Sequence, residues 1–491
     1  MKLIHQILRD ATRFTGSHYI ASLFDIFNNL FTRKILGPMA MGLFSELMLI
    51  YQFGKLHHLG LLNALDREIP LSHGQSETSK VQLIESVAFT SCLITSWIAG
   101  AIILLGSLFP LGWGNRIGCL LIALLVVTDN LVSYYRILLR THNEFNTLSR
   151  LLIYASLVET IVTVIGVILW GVIGLLLAIL VASLFGIFYV CRRNPRFLHI
   201  PLSINWNCLK SLFLIGIPLS LYGVIRTLFL TIDRILILTL LGRLELGFYS
   251  IAMMIYNFVT PLPRMVYNVI YPRFLQAFGK TPDLNQLKGY LFKPTLAFGT
   301  LYPLLAGVGV LSLPLLLHYF LPQFLPGLKP AQILLWGTCC YSVVFMWGYA
   351  LIAIGKQWLM VLLTTLTVLL ELILCYGFVK IGQLGLVGIA LGTAMAHLLF
   401  SLFLMGCVLW RYQKRPNEFF SFIIKLYTPL VGAVGIVTLL EYLFPLQGNS
   451  LWHDLGHFFL QLSLFLLGWG TLMVYKLNRE IQLFQILKEW K

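Results

Sequence analysis

Charge is what this chain has least of. Only 11% of its 491 residues are Asp, Glu, Lys or Arg, against 58% hydrophobic residues. That balance excludes the solvated surface of a soluble globular domain, and a mean hydropathy of +0.85 places the chain in a membrane. Long polar tracts are also missing. The longest connectors, near 66–80, 192–210 and 276–288, leave no room for a soluble catalytic domain. No Gly-x-x-x-x-Gly-Lys-Ser/Thr phosphate loop and no Gly-rich dinucleotide loop occurs, which excludes ATP hydrolysis by this polypeptide. The eight cysteines are scattered, with one close pair, Cys339–Cys340, inside an apolar segment, so there is no disulfide framework or metal motif. Histidines 57, 58, 397 and 457 lack ligand spacing. Met1–Phe14 alternates apolar and basic residues without a small-residue cleavage site and reads as an interfacial helix, not a removable signal.

What the chain does have is continuous apolar sequence. About fourteen segments reach the roughly 20 residues that a bilayer crossing takes. They lie near 14–36, 39–65, 81–109, 115–139, 148–170, 172–191, 211–241, 245–275, 289–313, 327–354, 357–380, 384–411, 419–444 and 455–476. Continuous rather than alternating runs exclude a barrel. The formal net charge of +16 would suit nucleic acid, but its placement decides otherwise. With the N-terminus in the cytoplasm, Arg67, Arg140, Arg192, Arg193, Lys210, Lys414, Arg415 and Arg479 all fall on that side. This positive-inside bias puts both termini in the cytoplasm.

The sequence also repeats itself. Leu36-Gly37 and Gly42-Leu43-Phe44-Ser45 return 205 positions later as Leu241-Gly242 and Gly247-Phe248-Tyr249-Ser250. Gly171-Val172-Ile173-Gly174 returns 214 positions later as Gly385-Leu386-Val387-Gly388. Two matches in order and near one offset imply two homologous halves, the architecture of a secondary transporter or flippase. The expected fold is therefore an all-α polytopic membrane protein: two six-helix bundles over 1–200 and 201–415, then two additional transmembrane helices and a cytoplasmic tail over 416–491.

Polar groups at bilayer depth usually face a cavity or a partner. In the first span Asp25, Asn28, Asn29 and Thr32 share one helical face. In the second, Ser45, Gln52 and Lys55 share another, with Glu46 beside it. The seventh carries Arg226, Thr227, Asp233 and Arg234. The eighth spaces Ser250, Asn257, Arg264 and Tyr271 by seven, with Asn268 adjoining and a kink expected at Pro261. Four such stripes are what a central water-filled cavity would require, although polar residues also simply bridge packed helices. Asp129 and Arg136 read as a partnership within span four. For Glu159, Glu371 and Glu441, helix packing is the plainer account beside proton or cation binding.

Arg33-Lys34-Ile35-Leu36-Gly37-Pro38, Gly42-Leu43-Phe44 and Leu59 through Pro70 resemble the amino-terminal region of the polysaccharide-export flippases. So do Asp233-Arg234, Gly247-Phe248-Tyr249-Ser250-Ile251-Ala252 and Ala353-Ile354-Gly355-Lys356 in the second half. These proteins, which include the O-antigen flippases, belong to the multidrug/oligosaccharidyl-lipid/polysaccharide superfamily. The resemblance runs from about residue 14 to 411. It implies alternating access and movement of an undecaprenyl-diphosphate-linked glycan across the inner membrane by a protein that is not an enzyme. Cations such as Lys55, Arg226 and Arg264 would suit the diphosphate, and amides the sugars. Coupling would use a Na+ or H+ gradient or the membrane potential, with no cofactor and no metal. Expected partners are the bilayer, the lipid-linked glycan and a polysaccharide polymerase or glycosyltransferases, and no nucleic acid. The two extra C-terminal helices resemble a lipid II flippase, one alternative; a cation-coupled multidrug exporter is the other.

Overall fold

The computed structural model describes residues 2–480 except 75–76, 108–112, 143, 414–415 and 447–449; between Thr260 and Lys288 it describes only Pro263, Tyr267 and Phe274. Among the described residues there are fifteen α-helices and no strand. They are α1 (Lys2–Gly54), α2 (Leu61–Gly74), α3 (Thr78–Gly106), α4 (Trp113–Thr141), α5 (Phe145–Arg193), α6 (Trp206–Phe229), α7 (Ile232–Leu240), α8 (Arg243–Val259), α9 (Lys288–Phe320), α10 (Leu328–Ser342), α11 (Phe345–Ala353), α12 (Gln357–Lys380), α13 (Gly385–Gln413), α14 (Pro416–Leu443) and α15 (Leu451–Glu480).

Nine helical stretches among the described residues are long and apolar enough to cross a bilayer, and two of these, of 43 and 49 residues, are twice the required length. Each is divided by one glycine. In α1 the first and second spans meet at Gly37 (φ 70°, ψ 176°), followed by Pro38. In α5 the fifth and sixth meet at Gly171 (φ 57°, ψ −128°). A side chain is strongly disfavoured in such conformations. The second half repeats both devices: Gly242, which opens α8, has φ 104° and ψ −179°, and Gly385, which opens α13, has φ 53°. The sequence repeat is thus also a repeat of backbone geometry.

Two spans are less regular than their hydropathy implies. The second ends as a helix at Gly54, continues as a 3₁₀ turn over Lys55–His58, and reverses through Leu59 (φ 46°) and Gly60 (φ 81°). Residues 61–74 then form α2 instead of the loop expected near 66–80. The seventh is split between α6 and α7 at Leu230–Thr231. The kink expected at Pro261 lies outside the described residues.

The chain packs as two compact units, Met1–Thr231 and Ile232–Lys491. In the first, the core gathers Leu61, Leu65, Ile69, Val87, Cys92, Tyr134, Leu138 and Leu151 from α2 to α5. Helix α6 joins this unit through its glycine: a Cβ on Gly216 would stand 2.7 Å from the carbonyl of Gly60, so the two backbones touch. The boundary at 231/232 is one of packing, whereas the expected one at 200/201 follows the sequence repeat; α6, expected to start the second repeat, packs with the first unit. In the second unit, α14 and α15 both seat on α9, Leu426 against Gly299 and Phe465 against Gly307. Large apolar side chains such as Trp97, Ile102, Ile168 and Leu169 remain exposed, as a lipid-facing surface requires.

Candidate polar sites in the two units

In the first unit α1, α3, α4 and α5 converge on a chain of charges. Lys55 Nζ lies 2.8 Å from Asp129 Oδ2 of α4 and 5.1 Å from the ring centre of Tyr51, whose hydroxyl bonds Asp129. Two turns of α4 further on, Arg136 acts electrostatically on Tyr51 and on Glu159 of α5. Glu159 in turn feels Asp25 of α1. Lys55, Asp129, Arg136 and Glu159 thus alternate in sign, and Asp25 adds a second acid beside Glu159. Asp129 and Arg136, expected to pair within α4, instead reach separate partners, because Lys55 in its 3₁₀ turn stands across from Asp129. An imidazole network borders the site. His57 Nδ1 contacts the Gly54 carbonyl at 2.6 Å and must donate there, while its Nε2 lies 2.9 Å from the Ser96 hydroxyl, which itself donates to the Cys92 carbonyl at 2.5 Å. Asn130 donates to Ser96 Oγ at 2.6 Å.

The predicted residues of this unit separate by orientation. Asp25 is exposed and Gln52 half-buried. Asn28 faces inward, 8% exposed, and its amide donates to Thr160 of α5 at 3.1 Å. Asn29 is tied along its own helix: its amide donates to the Asp25 carbonyl at 2.7 Å, and its Oδ1 accepts from Arg33 Nη1 at 2.7 Å. Arg226, half-buried in the last turn of α6, also belongs to this unit.

In the second unit Asp233 is buried, 4% exposed. Its Oδ1 accepts from the Arg234 backbone N–H at 2.7 Å and its Oδ2 from the Tyr249 hydroxyl of α8 at 2.8 Å. Its place is inside the bundle, at the first turn of α7. Asn257 is exposed. Arg264 and Asn268 lie outside the described residues. His397 of α13 stacks on Tyr341 of α10, ring centres 5.1 Å apart, and on Tyr256 of α8 at 6.4 Å. Near the ends of the C-terminal pair, Asp454 is fully buried and accepts from the Tyr319 hydroxyl at 2.8 Å. Among the described residues no group of three His, Cys, Asp or Glu could hold a metal ion.

One relation joins the two lists. Ile50-Tyr51-Gln52-Phe53 and Ile255-Tyr256-Asn257-Phe258 are the same tetrapeptide, Gln for Asn, again 205 positions apart. Both tyrosines are buried, at 8% and 9% exposure, and the amide beside each is turned further out. Stripe spacing on a single helix does not reveal this; aligning the two halves does. The signal for Asp129 was the opposite charge of Lys55 on another span.

The family described as "Polysaccharide biosynthesis protein" matches residues 31–320. No curated protein matches the chain by sequence. Among solved structures, the lipid II flippase MurJ in an inward closed conformation is similar with a TM-score of 0.68 at 15% identity, covering 95% of this chain and 99% of that one. An inward-facing multidrug resistance transporter of the MATE family, in the MOP superfamily, has a TM-score of 0.66 at 13% identity, covering 83% and 95%. A MOP superfamily transporter from Pyrococcus furiosus, described as having a binding pocket of reversed polarity, has a TM-score of 0.60 at 15% identity, covering 83% and 95%. At these identities the likeness establishes the fold.

Proposed function

Because this multi-pass membrane chain of MOP fold belongs to the polysaccharide biosynthesis protein family, we propose that it is a flippase, not an enzyme, that carries an undecaprenyl-diphosphate-linked oligosaccharide across the inner membrane by alternating access. The observation that carries this reading is the repeated tetrapeptide. It places Gln52 and Asn257 at equivalent points of the two halves, each amide beside a tyrosine locked in its own bundle. A neutral primary amide offers both donors and an acceptor, which is what sugar hydroxyls need. Arg226 and Arg264 are the cations proposed for the diphosphate, since guanidinium binds phosphate oxygens in pairs. Lys55 is already paired with Asp129 and is better assigned to holding the first unit together than to the diphosphate. Asp25, on an exposed face of α1, is proposed to line the same route. The chain's two repeats, 1–200 and 201–415, are proposed as the moving halves, with 416–491 added to them. Both termini are proposed to be cytoplasmic, and a glycosyltransferase or polymerase to be a neighbour in the membrane.

A lipid II flippase is the second reading. It is favoured by one observation: the likeness to MurJ covers 95% of this chain, against 83% for the multidrug transporter. Cells lacking the protein separate these readings. Build-up of glycan-lipid on the cytoplasmic leaflet, scored with an impermeant reagent and cleared by the wild type but poorly by Gln52→Ala/Asn257→Ala or Arg226→Ala, supports the first. Accumulation of lipid II with lysis supports the second. No lipid accumulation, together with raised sensitivity to cationic drugs, overturns both.

A further inference from the structure

The two arms of α5 carry an exposed face that transport does not use. On the first arm Tyr154, Leu157, Ile161 and Ile168 are exposed, and their spacing of three, four and seven makes them one stripe open to acyl chains. Val181, Leu184 and Phe188 do the same on the second arm. At the end of the hairpin away from Gly171 both stripes finish in arginine. Arg150 stands four residues before Tyr154, Arg192 stands four after Phe188 with Arg193 beside it, and all three are exposed. The register of the arms is set here by Tyr154 and Tyr189, whose rings meet edge to face with centres 5.6 Å apart. The Arg193 guanidinium lies 6.0 Å from the centre of the Tyr189 ring. Positions 150 and 193 are each one turn beyond that tyrosine pair, on opposite arms, so the helical repeat brings both arginines to one end of one face.

Two properties of this end select a ligand. The first is charge. Glu144, the acid just before α5, is already committed to Arg196 at 2.6 Å and to the Asn194 amide at 2.7 Å, and among the described residues Arg150, Arg192 and Arg193 make no ion pair. Three guanidinium groups at the end of an acyl-facing stripe suit an anion held at headgroup depth. The second is the Tyr189 hydroxyl, which is covered from solvent and has no hydrogen-bond partner among the described residues. A covered hydroxyl without a partner is disfavoured. A phosphate oxygen set beside Arg193 can accept from it, while the remaining oxygens take guanidinium N–H groups in pairs. Arginines that only snorkel to the interface need neither the ring beneath Arg193 nor a hydroxyl waiting for an acceptor.

We propose that Arg150, Tyr154, Tyr189 and Arg193 form a binding site for the phosphate of an anionic glycerophospholipid whose acyl chains lie along the two exposed stripes of α5. A lipid without an ammonium group is preferred, because choline or ethanolamine would bring a further cation among three. The bound lipid ties the two arms together at the end opposite Gly171, in the cytoplasmic leaflet of the orientation proposed above. The site depends on the fold and on its place in the bilayer, not on what the protein transports.

Titration of the full-length detergent-purified protein with dioleoyl-phosphatidylglycerol, read by native mass spectrometry, tests the site. The tightest-bound lipid should be held about tenfold more weakly by Arg150→Gln/Arg193→Gln than by the wild type. Arg67→Gln/Lys210→Gln, which removes two other exposed charges, should bind like the wild type. Dioleoyl-phosphatidylcholine should bind the wild type more weakly than phosphatidylglycerol does. In a thermal-shift assay phosphatidylglycerol should stabilise the wild type, whereas inorganic phosphate should not. Unchanged binding by Arg150→Gln/Arg193→Gln overturns the site, and so does an equal loss in both double variants, which reports net charge alone. Phosphatidylcholine matching phosphatidylglycerol overturns the preference for an anionic lipid. Stabilisation by inorganic phosphate equal to that by phosphatidylglycerol makes the ligand free phosphate and overturns the lipid. If the arginine double variant does not fold, Tyr189→Phe carries the test: binding about threefold weaker than wild type supports the site, and unchanged binding overturns it.

Discussion

A lysine next to apolar helices needs a counter-charge, and Lys55 finds it on another helix, in Asp129 at 2.8 Å. Removing one member leaves the other partly buried and unpaired, whereas replacing both by apolar residues of similar size is close to neutral. Lys55→Met is therefore expected to destabilise the detergent-solubilised protein by about 1–3 kcal/mol, at the lower end because the lysine is itself 44% exposed. Lys55→Met/Asp129→Leu should recover most of that, and thermal unfolding of the single and double variants checks it. The same logic applies to Asn28. Its amide holds Thr160, so Asn28→Ala should lower the melting temperature while Asn28→Ser costs less. Asn28 and Asp233 shared a polar stripe with cavity candidates, yet each faces the inside of its own unit. A stripe marks a face of a helix but not which neighbour covers it; that depends on where the next helix crosses.

At the level of the helix, glycine decides where spans end and how near they approach. Gly37, Gly171, Gly242 and Gly385 turn the chain at positive φ, and substitution of any of them by alanine should cost about 1–3 kcal/mol. Comparable losses at Gly37 and Gly242, and at Gly171 and Gly385, are expected in a thermal-shift series. Beyond Gly171 the two arms of α5 lie so close that a Cβ on Gly166 would stand 2.8 Å from the Gly174 carbonyl. Gly166→Ala should therefore be strongly destabilising. Gly223→Ala in α6, with open space around it, should be neutral or gain up to about 1 kcal/mol from helix propensity. These turns were legible in the sequence because two distant glycine motifs agreed in register. The 3₁₀ turn at Lys55–His58 and the break at Leu230–Thr231 were not, since both lie within unbroken apolar or mixed runs. There the backbone departs from the helix in response to packing, Gly60 against Gly216 in the first case.

At the scale of the whole molecule, hydropathy and charge placement were enough to read the class of fold, because bilayer thickness and backbone hydrogen bonding leave helices few alternatives. The partition into compact units was not readable in the same way, since α6, expected as the first span of the second repeat, packs with the first unit. The proposed orientation makes its own prediction. Single cysteines at Glu77 or Arg193, in a background without the native cysteines, should react with an impermeant maleimide only after the membrane is opened, and a cysteine at Gln383 in intact spheroplasts; the reverse pattern would invert the topology. With that orientation, Gly37, Gly171, Gly242 and Gly385 stand at the outer ends of their hairpins. At these four turns a protease or an antibody finds almost nothing to grip. Intact cells stripped with a non-specific protease should show no cleavage at these four turns, and an epitope tag inserted beside Gly37 or Gly171 should be lost together with the fold that hides it.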